Sequence, residues 1–212
     1  MAEKKDLSTA ILDNRKGPNK LKMEQIPNDI DDNSICVMTQ NKMDELKIYT
    51  GETVILKGKK RKETVCTVIA SADEQQDDKE IRTNKCVRRN IRCSMGDDCM
   101  VKPLADCPNG VKIHVLPFAD TIEGVGGNIT QDVLVPYFKQ AFRPVQKGDC
   151  FVAKLGIKNI EFKIVDVDPP ERCIVSDQCM IFDEGEAIER EDEEAAEMVG
   201  YDDIGGCKKQ MA

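Results

Sequence analysis

The sequence is poor in the residues from which active sites are most often built. Of its 212 residues one is a histidine, His114, and none is tryptophan; Tyr and Phe together reach only 4 %. There is no C-x-x-C, so four convergent zinc ligands would have to be nearly all thiolate, and no metal site is expected. No G-x-x-x-x-G-K-[ST] occurs: Gly58-Lys59 lacks the glycine five positions earlier that a phosphate-cradling loop needs. Gly-x-Ser-x-Gly is absent, and a serine triad would have to recruit His114 from the middle of an alternating strand pattern. The Asp-Thr-Gly loop of paired-carboxylate proteases is missing too, because Asp120-Thr121 runs on to Ile122. No apolar run approaches the ~20 residues that cross a bilayer, and Met1 to Lys16 lacks an apolar signal region. No catalytic residues, no cofactor and no membrane insertion are expected.

What is present is charge and cysteine. The ten cysteines stand singly, mostly among Val and Ile, which fits small buried hydrophobes in a reduced compartment better than a disulfide framework. The net charge of -8 is unevenly placed. Residues 183–203 hold eleven acids against one base, Arg190, whereas residues 1–182 hold 28 acids and 28 bases. The body is neutral and the tail acidic, with too little apolar content to fold by itself.

Short β-type runs punctuated by turn residues dominate the body: Ser34–Met38, Thr53–Leu56, Thr64–Ile69 and Cys99–Val101, then Lys112–Val115, Cys150–Leu155, Ile160–Ile164, Cys173–Val175 and Met180–Phe182. Pro136–Phe142 is the one stretch expected to be helical or irregular. Sliding the chain on itself aligns Leu46–Lys57 with Ile91–Lys102, apolar positions, Gly-acid pair and final Lys coinciding. Two copies of one unit predict a pseudo-two-fold barrel. The expected organisation is a flexible leader (1–20), a first β unit (21–105), a connector (106–110), a second β unit (111–182) and an acidic linker (183–212). Lys57-Gly-Lys-Lys-Arg-Lys62 is basic enough to grip phosphates, which keeps a nucleic-acid-binding barrel as the alternative function. The neutral body, acidic tail and scarcity of aromatics for base stacking weigh against it.

Several segments together resemble a known family: Asp6–Leu12 (DLSTAIL), Lys42–Leu46 (KMDEL), Val54–Arg61 (VILKGKKR), Ile113–Pro117 (IHVLP), Pro136–Phe138 with Phe142–Pro144, Lys147–Asp149 and Val199–Cys207 (VGYDDIGGC). The chain is similar, nearly end to end, to the amino-terminal adaptor-binding domain of the valosin-containing (transitional endoplasmic reticulum) family of AAA-type unfoldases. The resemblance implies an all-β-dominated fold, a double-psi β-barrel at about 21–105 followed by a small four-stranded β-barrel at 111–182. It implies a parent homohexamer that binds ATP and magnesium in modules beyond residue 212. That parent would extract and unfold ubiquitinated proteins for proteasomal and endoplasmic-reticulum-associated degradation, in the cytoplasm, the nucleus and at the reticulum surface. This segment, by itself a monomer, would choose clients by binding UBX-domain and ubiquitin-recognition adaptors or arginine-rich helices, with no direct nucleic-acid contact.

Carried over position by position, the adaptor cleft involves Ile35, Tyr49, Thr67, Ile69, Asn109, Ala141 and Phe142, with Glu52 and Arg143 at its rim. Glu52 keeps the charge of the family's aspartate. Tyr49 replaces a phenylalanine, Thr67 an aliphatic residue, and Asn109 and Phe142 replace tyrosines, so the loss of an aromatic wall at Asn109 is expected to alter adaptor preference.

Overall fold

The computed structural model describes residues 17–27, 30 and 32–190. The Asp6–Leu12 and Val199–Cys207 segments, most of the expected leader and the linker beyond residue 190 lie outside them.

The first unit is a closed barrel. Its elements are β1 (Lys20–Gln25), β2 (Ile35–Met38), α1 (Gln40–Leu46), β3 (Thr53–Lys57), β4 (Glu63–Ala70), β5 (Glu80–Thr83), α2 (Lys85–Asn90) and β6 (Asp98–Pro103). Around the barrel the strands run β1-β5-β2-β4-β3-β6, and β6 returns to β1. The offset that lays Leu46 on Ile91 also lays β1 on β4, β2 on β5, α1 on α2 and β3 on β6, so the short repeat seen in sequence is half of the whole unit. Local chemistry repeats with it. Thr39 caps α1 by accepting from Lys42 N (3.3 Å), and Asn84 caps α2 by accepting from Val87 N (2.9 Å). Each helix is followed by a left-handed residue, Lys47 (φ 57°) or Arg92 (φ 54°). Each then meets a left-handed glycine, Gly51 (φ 93°) or Gly96 (φ 81°), where a side chain would be strained. The halves interlock: β1 pairs parallel with β5 and β2 parallel with β4, while β2–β5 and β3–β6 are antiparallel.

Period-two burial explains the filling. Val54 and Leu56 of β3, Cys66 and Val68 of β4, and Cys36 and Met38 of β2 point inward and are essentially inaccessible, joined by Leu21, Met23, Ile81 and Val101. Each large aliphatic side chain removed from water in this way contributes ~1.5–3 kcal/mol. The nine described cysteines are free thiols, and six of them are buried. Burial pushes the Cys86 thiol up to about 12.

The second unit comprises β7 (Lys112–Pro117), α3 (Ala119–Ile122), a π-helical turn (Thr130–Leu134) running into α4 (Val135–Lys139), β8 (Arg143–Gln146), β9 (Cys150–Leu155), β10 (Lys158–Asp168), β11 (Arg172–Val175) and β12 (Met180–Phe182). Four strands form the main sheet, in the order β12-β7-β10-β9, and β11 and β8 form a separate two-stranded ribbon. Its core stacks Tyr137 on Phe151 (centroids 4.9 Å) and Phe151 on Phe162 (5.3 Å).

The acidic stretch does not leave the body at Phe182. Asp183 accepts from Thr130, His114 Nε2 lies 2.8 Å from the Glu184 carbonyl, and Ile188 bridges Phe118. Arg190, the lone base, lies over the Phe118 ring (4.5 Å) and pairs with Asp120 (2.8 Å) and the buried Glu161 (2.6 Å). Backbone bridging, two side-chain hydrogen bonds and one cation hold residues 183–190, the beginning of what composition alone reads as a linker.

Candidate functional site

The residues expected to form the cleft gather along the junction of the two units. On β2 Cys36 faces the core, so Ile35 is turned outward; on β4 Cys66 and Val68 face inward, which turns Thr67 and Ile69 outward. The register sets Ile35 opposite Thr67 and the buried Val37 opposite Ile69, so Ile35, Thr67 and Ile69 give a half-exposed row on one face. The turn from Tyr49 to Glu52 lies against this row through Gly51 N to Val68 O (2.8 Å) and Val68 N to Glu52 O (2.9 Å). Tyr49 is 69 % exposed. The Glu52 carboxylate accepts from Tyr49 N (3.0 Å), bracing the turn while remaining at the surface.

Across the junction, Ala141 and the 69 % exposed Phe142 lead into β8. Arg143 Nη1 donates to Ser34 Oγ (2.9 Å), tying the chain beside Phe142 to the chain beside Ile35. Asn109 is exposed and stands apart from the row: it bridges Ile174 of β11, whose other side pairs with Pro144 of β8, so one strand separates it from the Phe142 segment.

Arg143 is not the exposed rim charge expected of it. Its residue is only 6 % exposed and its guanidinium is consumed internally. It pairs with both oxygens of Asp32, donates through Nε to the Tyr137 carbonyl (3.1 Å) and lies 4.2 Å from the Tyr137 ring centroid. Burial would raise the Asp32 carboxyl, but hydrogen bonds from Arg143 and from Ser34 outweigh it and hold Asp32 below the ordinary carboxylate range. For Arg143 burial pulls down and Asp32 more than compensates, so the guanidinium is held above its ordinary value. Sequence had no means of pairing residues more than a hundred positions apart.

The same junction holds groups that the motif comparison passed over. Asn33 donates to Tyr137 Oη (3.0 Å) and to the Val152 carbonyl (2.7 Å), and Asn84 donates to Asn33 Oδ1 (3.1 Å). Asn90 exchanges two bonds with the Cys150 backbone (2.9 and 3.0 Å), and Gln146 reaches the Glu63 carbonyl (2.9 Å). Thr64 donates to Asp149. Burial raises Asp149 to about 7, against the lowering effect of Thr64, Lys62 and Arg172; burial also raises the Tyr137 phenol above its ordinary range. Two of the resembling segments, Pro136–Phe138 and Lys147–Asp149, supply Tyr137 and Asp149 to this network. Beside this network lies a groove of about 570 Å³ lined by Asp32, Asn33, Asn84, Lys85, Tyr137 and Gln140. Of the residues expected to form the cleft, only Arg143 lines this groove; the outward apolar row and the two exposed aromatics lie outside its lining and can receive the apolar anchor of a peptide. No group of three or more metal-binding side chains occurs among the described residues.

The basic hairpin is less available than its composition suggests. Lys57 is paired with Glu63 (2.8 Å) and Lys59 with Asp97 (2.5 Å), so part of its charge is already neutralised.

Residues 20–106 match the family model described as Cell division protein 48 (CDC48), N-terminal domain. The match spans the whole closed barrel and stops short of β7.

Proposed function

Since residues 20–106 belong to the CDC48 N-terminal domain family, a non-catalytic domain of an AAA ATPase, we propose that this chain recruits adaptor proteins through the junction between its two units. The observation that carries the reading is the placement of the outward Ile35–Thr67–Ile69 row and the exposed Tyr49 beside the Ala141–Phe142 segment, joined at the junction by the Arg143–Ser34 bond. A UBX-type loop or an arginine-rich helix would set its apolar side chain on this row and its arginine toward Glu52. Arg143 contributes by holding the junction in shape, not by meeting the adaptor. The ATP, the magnesium, the homohexameric ring and the unfolding of ubiquitinated clients for degradation belong, in this reading, to the parent machine, working in the cytoplasm, in the nucleus and at the reticulum surface.

Titration calorimetry with a purified UBX domain tests it. A dissociation constant below about 100 µM is expected, equivalent to more than ~5.5 kcal/mol of binding. Phe142→Ala and Ile35→Asp should each weaken it about tenfold or more, with circular dichroism unchanged. Absence of binding at 100 µM, or salt-sensitive binding to an oligonucleotide in its place, would overturn the proposal.

A further inference from the structure

Two cysteines of the second unit share a space that no part of the adaptor reading uses. Cys173 lies on β11, buried, and Cys179 lies half-buried in the turn before β12. Both sulfurs abut Gly110: a Cβ at this position would fall 2.8 Å from Cys173 Sγ and 3.2 Å from Cys179 Sγ. The two sulfurs are therefore within about 6 Å of each other, around a point that glycine leaves empty, and a shift of the Cys179 turn by up to about 4 Å brings them to the ~2 Å of a disulfide. The backbone frames the gap. Gly110 N donates to Ile174 O (2.8 Å), Met180 N donates to Val111 O (2.9 Å), and Cys179 N closes its turn on Ser176 O (3.0 Å).

We propose that Cys173 and Cys179 are a pair that hydrogen peroxide closes, slowly at neutral pH and faster as pH rises, to a disulfide across Gly110. In the first step the Cys179 thiolate, the more exposed of the two, attacks hydrogen peroxide. An S–O bond forms, the O–O bond breaks, and the hydroxide released takes a proton to become water. In the second step the Cys173 thiolate attacks the sulfenic sulfur of Cys179. The S–S bond forms, the S–O bond breaks, and a second hydroxide leaves as water. Two thiols are oxidised, one peroxide is reduced to two waters, and a dithiol reverses the change.

Burial pushes Cys173 up to about 12 and raises Cys179 above the ordinary thiol range, so both stand protonated at neutral pH and the reaction is slow there. Its rate should climb about tenfold per pH unit between 7 and 8.5, as the thiolate fraction does. The closed ring spans Cys173 to Cys179 and clamps the strand whose Ile174 bridges Asn109, so one edge of the junction is braced. The bond itself does not depend on what the junction binds.

The test uses the whole chain, reduced, then exposed to graded hydrogen peroxide, denatured, alkylated and digested with trypsin. No Lys or Arg lies between Arg172 and Arg190, so both thiols fall in the peptide Cys173–Arg190, together with Met180. The expected product is that peptide two hydrogens lighter and closed to alkylation, restored by dithiothreitol, lost in Cys179→Ser and retained in Cys107→Ser, which removes the half-buried third thiol that also acts on Cys173. Met180, 54 % exposed, reports the dose through its sulfoxide. Two alkylated thiols in a peptide whose Met180 is already oxidised, or a Cys107–Cys173 link in place of the expected one, would overturn the proposal. Should Cys179→Ser fail to fold, the wild-type peptide and Cys107→Ser still decide.

Discussion

Asp32→Ala should be among the costlier single changes in this protein, and its size can be worked from the junction. The substitution removes the only carboxylate among the described partners of Arg143 and leaves the guanidinium with Ser34 Oγ, the Tyr137 carbonyl and the Tyr137 ring, all neutral. Removing one partner of a fully buried ion pair costs ~3–5 kcal/mol because the other charge stays behind without its counter-ion. The Asp32 side chain is 21 % exposed, so water reaches the gap and the cost falls below that range, to ~2–3 kcal/mol. Against a total of ~5–15 kcal/mol this is a large fraction. In urea, with a slope of ~2 kcal/mol/M, the midpoint should fall by ~1–1.5 M. Arg143→Met in the same cycle separates pair from position: the double variant should cost at least ~1 kcal/mol less than the two single changes added together. The effect carries a pH signature. Asp32 is held below its unfolded value, so its contribution is complete above pH ~4 and is lost as pH falls through the lower folded value, where the penalty of Asp32→Ala shrinks. A penalty under ~1 kcal/mol at pH 7, or a coupling below ~0.5 kcal/mol, would refute the account.

Asp149→Asn should flatten the pH dependence of stability between pH ~4 and 7: a carboxyl raised to about 7 binds its proton more tightly folded than unfolded, so its contribution is fully present below the unfolded value and lost as pH rises to 7. Equilibrium unfolding at half-unit pH steps checks this, and a slope identical to wild type would sink it. Gly58→Ala should cost more than ~3 kcal/mol or prevent folding, because its Cβ would sit 2.1 Å from the Ile91 carbonyl oxygen, a backbone atom that cannot swing aside. A melting temperature within 3 °C of wild type, or roughly 1 kcal/mol, would contradict it. Phe142→Ala should change stability by less than ~0.5 kcal/mol, since the ring is 69 % exposed, and its effect should appear only in adaptor binding.

How much of this was legible in the sequence depends on how local the cause is. Alternation marked β7 and β10, because a strand with one wet face writes its period into the chain, and short β-rich or apolar runs bounded by turn residues marked β3, β4 and β9. β1 and β5 escaped, and for a different reason. Lys20–Gln25 reads as polar, and Glu80–Thr83 is four residues with one aliphatic; both are strands because the partner half supplies parallel ladders for them. The two barrel helices were missed for similar reasons: α1 and α2 are seven and six residues, too short for a clear period of 3.6. The repeat was visible only where turn chemistry forces it, at Gly51 and Gly96. At the candidate site Tyr49 and Phe142 are both exposed, which their residue types alone would not have suggested. The burial of Arg143 was invisible because its carboxylate comes from the other unit, at Asp32.

The interlocked pairing of the barrel halves bears on how the protein is made. β1 finds its parallel partner in β5, and β2 in β4, so neither of the first two strands can complete its ladder from residues that precede it or closely follow it. On a ribosome adding ~5–20 residues per second, the first half waits on the order of 2–10 s for the second to be synthesised. Throughout that interval Leu21, Met23, Cys36 and Met38, which end fully enclosed, have no enclosure. A nascent chain held at Asn84 would therefore be a client for chaperones, whereas one released beyond Pro103 could close at once.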